Sequence, residues 1–146
     1  MVSIECKNEC RLDEAVQNGG QLIIESTLSG KSLLPKIQNY HQTHNYAITI
    51  VYVFLSNPEM CQKRIAIRVR KVGHHVPRED IFRRFGRSLV NFWHYYRYQC
   101  DRWNLIYNAE DDFQEVARFE NQLNYVFDES LFVTFKEMVN HYEKQR

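Results

Sequence analysis

The chain has 146 residues, 44% hydrophobic, 14% aromatic and 25% charged, with a formal net charge of +1. That length fits one domain and the apolar fraction is too high for a disordered chain. The longest apolar run, Ala47 to Leu55 with Thr49 inside it, falls far short of the ~20 residues a membrane span needs, and MVSIECKNEC lacks the basic start and apolar core of a signal peptide. A cytoplasmic location is therefore expected, with Cys6, Cys10, Cys61 and Cys100 as free thiols.

Residues 11–18 (RLDEAVQN) read as a short helix stopped by Gly19-Gly20. Gln21 to Glu25 is an apolar run of strand length, Ser26 to Gly30 is turn chemistry, and Lys31 to about His44 predicts a helix with Pro35 near its first turn. Tyr46 to Leu55 (YAITIVYVFL) is nearly continuous in β-branched and aromatic residues. That pattern predicts a strand buried on both faces, as in a parallel sheet. Asn57-Pro58-Glu59 opens a helix well and should carry it to Lys71, ahead of Gly73. A second Pro-started helix is expected from Pro77 to about Arg97, then a third strand at Trp103 to Tyr107. From Phe113 onward two helices broken near Asp128 are expected. Alternating strands and helices predict an α/β fold with a small, mostly parallel sheet flanked by helices. Three strands are few for such a sheet, so the chain reads as most of an α/β domain rather than all of one.

The near-zero net charge conceals an asymmetry. Cys61 to Arg87 carries nine Lys/Arg against Glu79 and Asp80, net +7, while the stretch from Glu110 to Arg146 has nine acids against four bases. Ile81, Phe85, Leu89, Phe92 and Tyr96 form an apolar helical stripe, and Arg83, Arg84 and Arg87 fall off it. Arg83 and Arg87 are i,i+4 neighbours, as are Arg64 and Arg68 on the preceding helix. Like charges at that spacing repel, and an anion held in an arginine fork would reverse the sign; a solvated face neutralised by the acidic C-terminal third is the alternative. Interleaved Phe92, Trp93, Tyr95, Tyr96 and Tyr98 could stack on bases, but core packing accounts for most of them, and a chain of isoelectric point near 7.7 lacks the basicity of a nucleic-acid binder. His74-His75 and His41/His44 have no third ligand at local spacing, so no metal site is expected. Gly30-Lys31-Ser32 matches the tail of GxxxxGK[ST] between a strand and a helix, yet Glu25 stands where the first glycine belongs. A carboxylate there opposes phosphate. Glu25 at the end of a strand could instead accept hydrogen bonds from a substrate hydroxyl, or be simply solvated.

The string Arg68-Val-Arg70-Lys-Val-Gly-His-His-Val-Pro77, continued by Glu79-Asp-Ile-x-Arg-Arg-Phe85 and Arg87-Ser-Leu-x-Asn-Phe92, resembles the C-terminal half of the zeta-toxin-like P-loop kinases, a group that includes predicted ABC-type ATPases. Glu25-Ser-Thr-Leu-Ser-Gly30, Ile50 to Leu55 with Pro58-Glu59, and Asp101-x-Trp103 leading to Tyr107-Asn108 follow in the same order, so the resemblance covers about residues 12–110. It implies a P-loop-kinase-like three-layer fold in which ATP, with Mg, and a small hydroxylated substrate meet at the strand ends. Glu25 and Thr27 would bind substrate. Arg64 and Arg68 would act catalytically on the triphosphate, and Arg70, Arg83, Arg87 and His74 would contact phosphate. The family's phosphate-loop strand, its GxxxxGK[ST] and the following catalytic Asp all precede the Glu25 segment, and none of the 24 residues before Glu25 matches them.

Residues 1–146 are thus expected to form one truncated zeta-toxin-like domain, with 111–146 as C-terminal helices. Three functions are consistent with it. One is a remnant that keeps substrate-side and lid elements and is inactive alone. Another is a kinase acting on a hydroxyl of a nucleotide-sugar type of molecule once a separate N-terminal segment completes it. The last is a non-catalytic module binding an acidic, antitoxin-like protein. A nucleic-acid or membrane partner is not expected.

Overall fold

The computed structural model describes residues 2–5, 14–72, 77–109 and 112–145, with only the backbone described for 2–5 and 68–72. Its strands are β1 (Val2–Glu5), β2 (Leu22–Glu25), β3 (Thr49–Phe54), β4 (Arg102–Asn108), β5 (Phe113–Glu120) and β6 (Leu123–Val126). The helices are α1 (Leu33–His44), α2 (Pro58–Val72), α3 (Arg78–His94) and α4 (Glu129–Glu143), with a 3-10 turn at Tyr96–Tyr98. Residues 14–17 are also helical; 11–13, Gly73 and His74 lie outside the described residues. The chain is a mixed α/β fold.

The sheets correct the expected arrangement. β1 and β2 pair in parallel as a separate two-stranded sheet. The larger sheet runs β3-β4-β5-β6, with one parallel pair (β3 with β4) and two antiparallel pairs, so it is mostly antiparallel. The difference arises at the C-terminus, where a β-hairpin replaces the first of the two expected helices. Glu, Gln, Arg and Ala in FQEVARFENQ favour helix locally, but Asn121 and Gln122 both adopt positive φ, 53° and 64°, between the paired Glu120 and Leu123. Positive φ at both centres is the signature of a type I′ hairpin turn, whose twist matches that of the strands. The register also slips between Leu105 and Ile106, so that Leu105 faces Ala117 while Ile106 faces Glu115. Val116 is the extra, fully buried residue, and its carbonyl accepts from the Phe127 and Asp128 amides. That bulge places buried Val116 beside buried Ala117 and erases the alternation by which a strand is read.

α4 follows as a single helix, capped by Asp128, whose carboxylate accepts from the Leu131 amide at 2.9 Å. It lays Phe135 and Val139 into the core, where Phe135 sits edge-on to Phe54, Trp93 and Tyr52 at 5.1, 5.6 and 6.1 Å. Tyr52 and Phe92 stack at 4.2 Å with their planes 2° apart. The stripe on α3 packs as its spacing predicts: Ile81, Leu89, Phe92 and Tyr96 are buried, and Phe85 partly so. Gly86 on the same helix lets the Tyr142 ring of α4 approach; a Cβ there would lie 2.4 Å from a ring carbon.

β3 departs from its reading. Tyr52 and Phe54 are buried, but Val51 and Val53 are 62% and 45% exposed. The strand is covered on one face only, and its second edge pairs with no other strand among the described residues. A sequence suited to the centre of a sheet stands at its margin.

Candidate functional site

The β2–α1 connection, residues 26–32, is the pivot of the molecule. α3 and the 3-10 turn after it hold it by its carbonyl oxygens. The Ser88 hydroxyl donates to the Thr27 carbonyl and the buried Asn91 amide to that of Leu28 at 2.9 Å. The Tyr96 hydroxyl donates to the Gly30 carbonyl at 2.7 Å. Leu28 is buried and takes φ of 52°, a strained value for a branched side chain, maintained by these three anchors. The loop's own hydroxyls meet two of its amides: Leu28 donates to Ser26 Oγ at 3.2 Å and Ser29 to Thr27 Oγ1 at 3.5 Å. A phosphate loop needs its amides to converge on the ligand. Here two of them turn onto neighbouring side chains, and no group of three His, Cys, Asp or Glu able to hold a metal ion occurs among the described residues. The strand–loop–helix context of Gly30-Lys31-Ser32 is present, with those two amides engaged inside the loop.

Two cavities flank this loop. The first, about 630 Å³, is lined by Ser29, Gly30 and Lys31 on one side and by Arg83, Gly86 and Arg87 of α3 on the other, with no acidic residue among its walls. Arg83 is ion-paired with Asp80 at 2.6 Å. Lys31 Nζ lies 3.5 Å from the centroid of the Tyr95 ring, a cation–π contact. Arg87 is exposed and makes no ion pair among the described residues. The cleft thus gathers two of the expected phosphate contacts with Lys31.

The second cavity, about 750 Å³, opens between β2 and β3 and is mostly apolar. Leu22 and Ile24 of β2 form one wall and α1 contributes Leu33, Ile37 and Tyr40. Every residue from Tyr46 to Leu55 borders it. Among the described residues, Arg84 is its one charged lining residue, a turn before Ser88, whose hydroxyl is 2.9 Å from that of Tyr52. Burial pushes the Tyr52 hydroxyl well above the usual phenol range.

No family model matches the chain, and neither a curated protein nor a solved structure does.

The remaining expected site residues scatter. Glu25 ends β2 exposed, without an ion pair among the described residues, and borders neither cavity. Thr27 is exposed on the loop and borders the apolar cavity. Arg64 of α2 is half-buried, with Nη2 donating to Asn108 Oδ1 and the Ala109 carbonyl, each at 3.2 Å, so it fastens α2 to the end of β4. Burial raises the nearby Cys61 thiol, and the Arg64 charge opposes that shift. The side chains of Arg68 and Arg70 lie outside the described residues, as does His74. Arg84 reads in the sequence only as one of three off-stripe arginines, and Ser88 and Asn91 carry no assigned role there. A signal for Asn91 existed: an amide inside the run Leu89-Val90-Asn91-Phe92-Trp93 must be buried, and a buried amide requires partners.

Proposed function

We propose that this chain is a cytoplasmic remnant of a zeta-toxin-like small-molecule kinase, with a P-loop-kinase-like ancestry, that keeps the substrate-side strand end at Glu25 and Thr27 and the lid-side arginines but has no phosphate loop of its own and is inactive alone. The observation that carries this reading is the open edge of β3. A strand–helix–strand crossover ordinarily joins strands of one parallel sheet. Here β2 and β3 belong to separate sheets, with an apolar slot between them. Such a gap is what a parallel sheet presents when an intervening strand is lacking. The engaged amides of the β2–α1 loop support the same reading, because phosphoryl transfer depends on a backbone cradle. So does Arg87, without an ion pair among the described residues and lining one cleft with Lys31, where an anion's phosphate could be met.

Calorimetric titration of the purified chain with MgATP is expected to give no binding. Tight binding that disappears in the Arg83→Ala, Arg87→Ala double variant would overturn the remnant reading. The slot also favours a second reading, a kinase acting on a hydroxyl of a nucleotide-sugar type of molecule once a separate N-terminal segment completes it. A reading frame immediately upstream encoding GxxxxGK[ST] would select that one.

A further inference from the structure

We infer that the slot between β2 and β3 receives a single extended apolar segment of another polypeptide, which adds to the free edge of β3 as a β-strand. The first ground is the shape of the contact. Side chains alternate across a strand, so a cavity lying on one face would touch every second residue. This one borders each residue from Tyr46 to Leu55, and hence runs along the strand's edge, where backbone N–H and C=O groups emerge. A small apolar ligand would leave those groups without partners in apolar surroundings, which is costly. An extended backbone offers donors and acceptors at the matching repeat, as in strand addition.

The second ground is the absence of edge protection. Edge strands are usually guarded by Lys, Pro, bulges or charge. YAITIVYVFL contains no charged residue and no proline, and β3 pairs with β4 over all six of its residues without a register shift. The third ground selects the occupant. The edge borders a slot whose walls include Leu22 and Ile24 of β2, Ile37 of α1 and Phe85 of α3. A strand already built into a sheet, such as β3 of a second copy, brings its own neighbours and cannot enter; a lone segment can. Arg84, the only charged wall residue among the described residues, favours a segment that is uncharged along the strand and acidic at the end that meets Arg84. The inference rests on the reading of the chain as an incomplete α/β domain, and its test separates the two.

The probes are three synthetic peptides sharing a soluble, alternating Val/Thr core and differing only in a terminal Glu, Lys or Ser. Hydrogen exchange of the full chain is followed with each peptide, alongside fluorescence anisotropy of a labelled form. The expected result is saturable binding, strongest for the Glu peptide, with slowed exchange confined to Thr49–Phe54 and β2. Val51→Lys should weaken binding at least tenfold while Val51→Thr retains it, and Arg84→Glu should shift the preference to the Lys peptide. Unchanged β3 exchange with all three peptides at millimolar concentration overturns the inference. So does β3 protection that grows with the chain's own concentration in the absence of peptide, which would mean a second copy. MgATP titration of the same samples keeps the readings apart. Protection of β3 upholds the strand site whatever ATP does, tight MgATP binding by the chain overturns the remnant reading alone, and unprotected β3 overturns the strand site alone.

Discussion

Asn91 shows how one buried polar side chain positions a loop. It is 1% exposed, and its amide holds the Leu28 carbonyl while Leu28 sits at positive φ. Asn91→Leu keeps the volume but leaves that carbonyl unpaired in the interior, a loss of about 1–3 kcal/mol; chemical denaturation should show it, with exchange accelerated across residues 27–30. Cys100 is a second such case. Burial and the neighbouring Asp101 carboxylate push its thiol up to about 12. Its folded value lies above the unfolded one, so the native state holds the proton while the unfolded chain releases it. The contribution is complete below about pH 9 and is lost as pH rises to about 12. Stability measured across that window should fall with pH, and Cys100→Val should flatten the slope. Of the expected site residues, Arg83 and Arg87 were legible because spacing alone places i,i+4 residues on one face. Arg64 was legible as a charge but not as a fastening for β4, since its partners Asn108 and Ala109 lie more than forty positions away in sequence.

Elements whose signals are local formed where the sequence places them. Asn57-Pro58-Glu59 starts α2, with Asn57 Oδ1 accepting from the Met60 amide at 3.0 Å, and the stripe on α3 faces the core. The β5–β6 hairpin was hidden because its turn is Asn-Gln rather than Asn-Gly and its bulge breaks the alternation. Gln122 holds φ of 64°, which glycine adopts without strain. Gln122→Gly is therefore expected to stabilise the protein by about 0.5–1 kcal/mol in thermal unfolding. Gly86→Ala should do the reverse. Alanine favours a helix by about 1 kcal/mol over glycine, but here its Cβ meets the Tyr142 ring, and overpacking of that kind costs about 1–3 kcal/mol. In a Tyr142→Ala background the same substitution should become stabilising, so the double-mutant cycle in urea identifies the contact.

At the scale of the whole molecule, the open edge of β3 governs behaviour in solution. An unguarded apolar edge invites association, and because the slot admits only a lone segment, light scattering should show aggregation of the isolated chain on warming, when partial unfolding frees such segments, rather than self-association of the folded chain. Val51→Lys should suppress it several-fold with little change in unfolding midpoint, since Val51 is 62% exposed. On the same 26–32 loop, Lys31 and Arg87 line a cleft without a carboxylate among its described lining residues. The sequence by itself determined the helices with local start signals, the apolar stripe of α3, the chemistry of the 26–32 turn and a strand within Tyr46 to Leu55, because capping, periodicity and side-chain shape act within a few residues. Only the tertiary structure decided that β5 and β6 form a hairpin, that Arg64 is a fastening, that Arg84 enters the slot, and that β3 stands at a margin. Those outcomes depend on which distant segments meet, and no local pattern encodes that.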